Sequence, residues 1–172
     1  GGESSRPGAA GVDEKEEGRR VLPLIRRLAL RLKIPISIDS RKPGVQKAAL
    51  DAGARIVNDI SGGADERTLT MSAAYKATLI LMHMRGEPRT MQKNPSYRNV
   101  IKDVASFLSF GRKKALEAGL SPNAVILDPG IGFGKTLGQN LQILGDLMSF
   151  RRLGSPVLIG ASRKSWLGQV TG

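Results

Sequence analysis

The sequence has no cysteine, a single histidine and only 4% aromatic residues among its 172 positions. Without cysteine there is no disulfide framework, no thiolate metal site and no thiol nucleophile. One histidine excludes a multi-histidine metal cage and allows at most one histidine-based dyad. So few aromatics cannot build a base-stacking platform for single-stranded nucleic acid. No apolar run approaches the roughly 20 residues of a membrane span. The N-terminus has no apolar core and is not a signal peptide.

What is present is a globular composition. Hydrophobic residues make up 40% of the chain, ample for a buried core. Lysine and arginine outnumber aspartate and glutamate 27 to 15, a formal charge of +12. Such a balance favours anionic partners without choosing among them. The basic residues are dispersed, with Arg19, Arg20, Arg26, Arg27, Arg31 and Lys33 spread along one helical segment as a solvated face. Both ends read as cut: the chain opens in a Gly/Ser/Pro loop and closes in a loop entering a helix. The expectation is a fragment of a larger domain.

Strand and helix patterns alternate. Asp13 and Glu16 form a capping-box variant before Val21, Ile25, Leu28 and Leu32 at helical spacing, with Pro23 expected to kink or restart the helix. The apolar run from Ile34 to Ile38 ends in Asp39. Pro43 and Gly53 bracket a helix with a small-residue face of Val45, Ala48, Ala49 and Ala52. Arg55-Ile56-Val57 is the next strand and runs into Asn58. A weaker helix spans about Glu66 to Lys76, followed by a strand from Thr78 to Met82. A polar loop from His83 to Ser96, either lid or plain surface loop, precedes a helix bearing Val100, Val104, Phe107 and Ala115. Ala124 to Leu127 leads into Asp128. Leu141, Leu144 and Leu147 mark one more helix stopped by Gly154, and Val157 to Ile159 is a fifth strand.

Short strands apolar on both faces and separated by helices predict a parallel sheet covered by helices. A doubly wound open sheet and a (β/α)8 barrel compete. Placement favours the barrel, because Asp39, Asn58, His83, Asp128 and Lys164 each follow a strand, and a barrel gathers such ends around one mouth. The chain is thus expected to cover about five strands of a (β/α)8 TIM barrel.

The stretch from Pro129 to Thr136 ends in Gly-Lys-Thr, like a phosphate-binding loop. The glycine required five positions before Gly134 is instead Pro129, and the dinucleotide pattern fails at Leu137. The better reading is a tight loop that lets backbone approach a flat ligand, with Phe133 available to stack on it. Asp39, Asn58 and Asp128 suit a ligand edge rich in N–H groups, such as an aminopyrimidinone or a guanidinium. The alternative is that some of them only cap helices or orient loops. Lys164, beside Arg163 and Ser165, suits an anion or a carbonyl oxygen, and Arg6 is a second anion candidate. His83 fits a structural role better than an acid–base one.

Six segments then form a recognisable series: residues 1–8 (GGESSRPG), 36–40 (ISIDS), 56–62 (IVNDISG), 81–86 (LMHMRG), 127–135 (LDPGIGFGK) and 160–165 (GASRKS). In that order the chain resembles the dihydropteroate synthase family along its whole length. The resemblance implies a single incomplete pterin-binding barrel domain over residues 1–172, including the mobile loop that follows the second strand of the family's barrel. It implies a transferase of folate biosynthesis that joins a hydroxymethyl-dihydropterin diphosphate to 4-aminobenzoate, with Mg2+ on the diphosphate. It places the pterin pocket on Asp39, Asn58, Met82, Asp128 and Lys164. It places the aminobenzoate site, which sulfonamides occupy in the family, on Ser5, Arg6, Pro7, Phe133 and Ser165. No separate nucleophile is implied; Asp39 and Lys164 support a reaction thought to pass through a carbocation.

There are departures. Position 5 is serine where the family usually has threonine. The family's first strand, whose asparagine meets the metal, and its C-terminal arginine and histidine that grip the diphosphate are absent from these residues. No metal ligand is therefore expected here, the ligand lying before Gly1, and the 172 residues alone are expected to be poorly active. The resemblance further implies a homodimer for the complete protein, a cytoplasmic or organellar setting, and neither nucleic-acid nor membrane partners. A methyltetrahydrofolate-binding corrinoid methyltransferase and a non-catalytic pterin-binding fragment are the alternatives. A nucleic-acid binder exploiting the positive charge would show steep salt dependence.

Overall fold

The computed structural model describes residues 2–5, 8, 10–162, 164, 167 and 168. Helix α1 (Glu14–Ala29) starts where the Asp13 carboxylate accepts the Glu16 N–H at 2.8 Å. The box is only half formed, since the Glu16 carboxylate turns to Arg19 and Arg20. The expected kink does not interrupt the helix: it runs through Pro23 unbroken. Val21, Leu22 and Ile25 pack it onto the core, and that packing offsets the missing proline N–H.

Strand β1 (Ser37–Asp39) leads to α2 (Pro43–Asp51), with proline at the helix start where no N–H is needed. Buried Val45, Gln46, Ala49 and Leu50 form its inner face. Strand β2 (Ile56–Asp59), α3 (Glu66–Ala74) and β3 (Thr78–Met82) follow. Beyond the long loop come α4 (Val100–Glu117), capped by Asn99, a short 3-10 turn (Pro122–Ala124) and β4 (Val125–Asp128). The single C-terminal helix expected from the leucine spacing is two helices, α5 (Leu137–Gly145) and α6 (Leu147–Arg151). Asp146 breaks them apart: its carboxylate accepts the Ser149 N–H and hydroxyl, so it caps a new helix instead of extending the old one. The expected fifth strand is likewise reduced. Val157 forms an isolated parallel bridge with Leu127, supported by Leu127 N–H to Pro156 O and Leu158 N–H to Leu127 O, both 2.9 Å.

All four strands are parallel and their spatial order is their chain order, β1-β2-β3-β4. A doubly wound sheet reverses direction at a switch point; a barrel does not. One face of the sheet buries Ile38, Val57, Leu79, Leu81, Val125 and Leu127 against the helices, where Val45, Leu69, Val104, Leu108, Ile143 and Phe150 complete the core. Removing each such large side chain from water stabilises the fold by about 1.5–3 kcal/mol. Strand geometry turns the alternate residues to the opposite face. The register aligns Asp39, Asn58, Ile80 and Ile126 in one row across that face, and Met82 with Asp128 in the next.

Candidate functional site

That register brings the strand-end polar groups together. Asp39 and Asn58 are neighbours on β1 and β2, both half-buried. Burial pushes the Asp39 carboxyl above its ordinary range, while the facing Asn58 side chain draws it back. Asp128 is 7% exposed, and its Oδ1 accepts the Gly130 N–H at 2.7 Å. Burial raises its carboxyl, opposed by that N–H and by the charges of Lys135 and Lys164. No described residue donates to its Oδ2. Met82 is buried beside Asp128 in register. Lys164 places its ammonium 3.9 Å from the centre of the Phe133 ring. Burial lowers this lysine, and the carboxylates of Asp128 and Asp39 pull the other way, so one cation faces both acids.

Ser5 lines a small polar cavity with Glu3, Ser4, Glu17, Asp39, Ser40, Arg41 and Ile60. Lys42 ties this corner together, reaching Glu3 and fully buried Glu17 at 2.6 Å each. Burial works against the Lys42 charge, but the two carboxylates outweigh it and hold the ammonium above its ordinary value. Arg6, Pro7, Arg163 and Ser165 lie outside the described residues. Asp59, next to Asn58, points to the other face and spans the following turn, accepting from the Ser61 N–H and hydroxyl and from the Gly63 N–H.

The glycine-rich loop after β4 wraps around Lys135. Its ammonium donates to Gly130 O at 2.9 Å and Phe133 O at 3.0 Å, and lies 2.9 Å from His83 Nδ1. Burial lowers Lys135 to about 7, against the pull of Asp128. Gly130 and Gly134 both have positive φ, and any side chain there would collide with backbone. A Cβ at Gly130 would overlap the His83 carbonyl, and one at Gly134 would lie 2.6 Å from Arg85 O. His83 is buried edge-on against Phe107, their ring centres 5.0 Å apart. The loop from His83 to Ser96 is pinned to the glycine loop through Gln92 Nε2, which donates to Gly132 O at 2.7 Å.

A model of the pterin-binding enzyme family matches residues 1–172. The chain belongs to this family. It is 47% identical to a dihydropteroate synthase of Synechocystis over 171 residues, which is 99% of this chain and 59% of the relative. The dihydropteroate synthase of Thermus thermophilus, solved in complex with 4-aminobenzoate, superposes with a TM-score of 0.92 at 42% identity, over 99% of this chain and 65% of that one. A second structure of the Thermus enzyme, in complex with 6HMPPP, gives a TM-score of 0.83 at 40% identity, over 94% and 60%. The chain spans about three-fifths of the length of the curated relatives it matches. The four-stranded parallel sheet of this pterin-binding family member is part of a (β/α)8 barrel.

Two residues of this family member escape the sequence reading. Gly134-Lys135-Thr136 fails as a phosphate loop because the ammonium turns inward to the loop's own carbonyls. Its imidazole partner lies 52 residues earlier, beyond any local pattern. Lys42 carries no local signal either, since its partner Glu17 lies 25 residues earlier on α1. Among the described residues, no helix is long and apolar enough to cross a membrane.

Proposed function

We propose that this chain carries the pterin and aminobenzoate pockets of a dihydropteroate synthase, with Asp39, Asn58, Met82, Asp128 and Lys164 holding the pterin. The observation that carries the reading is the convergence of Asp39, Asn58, Asp128 and Lys164 at one end of the sheet, with Phe133 under the lysine. An aminopyrimidinone edge offers parallel N–H donors to Asp128, and Asn58 reads a mixed donor–acceptor edge. Phe133 and the Lys164 stem give a flat wall for the aromatic amine, and the family resemblance assigns Ser5, Arg6, Pro7 and Ser165 to the same substrate.

In this reading the substrates are 6-hydroxymethyl-7,8-dihydropterin diphosphate and 4-aminobenzoate. The bond between the pterin methylene and the diphosphate oxygen breaks. The amine nitrogen bonds to that carbon, then loses a proton, giving 7,8-dihydropteroate and diphosphate. Positive charge building at the methylene calls for positioning and a fixed electrostatic environment rather than a nucleophile, and the half-buried Asp39 carboxyl supplies part of it. Mg2+ on the diphosphate belongs to the same reading. Among the described residues, however, no three His, Asp or Glu side chains are grouped to hold a metal, so no step here is assigned to the ion.

The test is titration of the chain with a dihydropterin, wild type against Asp128→Asn, by calorimetry. The asparagine keeps an oxygen for the Gly130 N–H but loses the charge, so affinity should fall at least about tenfold. Stability should stay within about 1 kcal/mol, because the buried carboxylate is itself costly. A wild-type chain that binds no pterin, or a variant that binds as well, would sink the reading.

A further inference from the structure

We infer that Lys135 is a positioning residue for aminobenzoate: its buried ammonium sets the glycine-rich loop so that Phe133 presents its ring beneath Lys164. The inference rests on the functional reading above, and assigns a task to a residue which that reading leaves unused.

The loop from Gly130 to Gly134 has almost no backbone hydrogen bonding of its own beyond Phe133 N–H to Gly130 O at 3.1 Å. Side chains hold its carbonyls instead. Gln92 donates to Gly132 O, the Tyr97 hydroxyl donates to Gly134 O at 2.7 Å, and Lys135 donates to both Gly130 O and Phe133 O. Lys135 holds two of these carbonyls at once, one of them on the residue that carries the stacking ring. An ammonium has three N–H donors. The two carbonyls and His83 Nδ1 lie within 3.0 Å and His83 O at 3.4 Å, so every N–H of Lys135 has a partner inside the protein and none is left for substrate. Lys135 is 3% exposed and cannot act as a solvent-facing charge. Its grip also crosses the site, because His83 immediately follows β3 and Gly130 holds the Asp128 carboxylate. The loop is thereby fixed to two adjacent strand ends at once.

The test compares Lys135→Met with Lys135→Gln in the full chain. Three readouts are needed: dihydropterin affinity, 4-aminobenzoate affinity in the presence of pterin, and amide exchange at residues 131–134. Lys135→Met removes every donor at nearly constant volume. It should weaken 4-aminobenzoate by about tenfold or more and speed loop exchange by a similar factor, with a clearly smaller loss for pterin, whose reader Asp128 feels the Lys135 charge. Lys135→Gln keeps two donors and should recover part of both losses. It also carries the test if the methionine variant does not fold. Unchanged aminobenzoate affinity and loop exchange in the variants would overturn the inference, as would an equal loss of pterin and aminobenzoate binding. If the wild-type chain binds neither ligand, the functional reading fails. The exchange data then decide separately whether Lys135 orders the loop.

Discussion

Burial fixes the charge of His83 more firmly than any partner does. The imidazole is lowered to about 3, first by loss of solvent and then by the Lys135 charge beside it. In the unfolded chain a histidine takes up its proton near pH 6.5. Between pH 6.5 and about 3 the unfolded state therefore binds a proton that the folded state refuses. The resulting stability is complete above pH 6.5 and drains away as pH falls toward 3, by at most about 4–5 kcal/mol. Urea denaturation across that range should show a steep loss in the wild type and a shallower one in His83→Gln; parallel curves would contradict the assignment. At this scale the sequence shows Asp39, Asn58 and Asp128 because each immediately follows an apolar strand run, and Lys164 because it comes a short loop after the last one. It does not show Lys135, whose partners are carbonyls and a distant imidazole. Backbone acceptors leave no trace in side-chain spacing.

Among the elements, α1 and the turn after β1 are joined by an interaction that no helical periodicity announces. Lys42 bridges Glu3 and Glu17, and among the described residues Glu17 has an oxygen, Oε1, with no hydrogen-bond partner. Removing the cation leaves a fully buried carboxylate unpaired. Lys42→Met should therefore cost about 3–5 kcal/mol, and adding Glu17→Gln to it should return a substantial part. Thermal unfolding of the two variants checks this; a double variant no more stable than the single one would show that Glu17 is not the cause. Strand β3 begins and ends where its apolar run does, because a strand buried on both sides needs nothing else. The split at Asp146 and the shrinking of the fifth strand to a bridge are less legible. In each case one local hydrogen-bonding choice, an aspartate cap or a proline without an N–H, overrides an otherwise continuous apolar pattern.

For the molecule as a whole, the alternation of strand and helix carries most of the fold, and the sheet order decides between the two architectures that alternation allows. β2 and β3 are paired on both sides, whereas β1 pairs only with β2 among the described residues, and Val157 contributes one bridge. Amide exchange should be slowest in β2 and β3 and fastest at Ser37–Asp39 and Val157. Uniform protection across the sheet would count against this arrangement. The same order governs the chain during its synthesis. From β2 to β4 each strand pairs with the one made just before it, across one crossover, and only the crossover from Met82 to Val125 is long. On a ribosome, β2 can join β1 before β3 has been translated, and β3 can join β2 before β4. The edge on the growing side of the sheet is the one that the next strand to emerge covers, which limits how long that aggregation-prone edge stands bare.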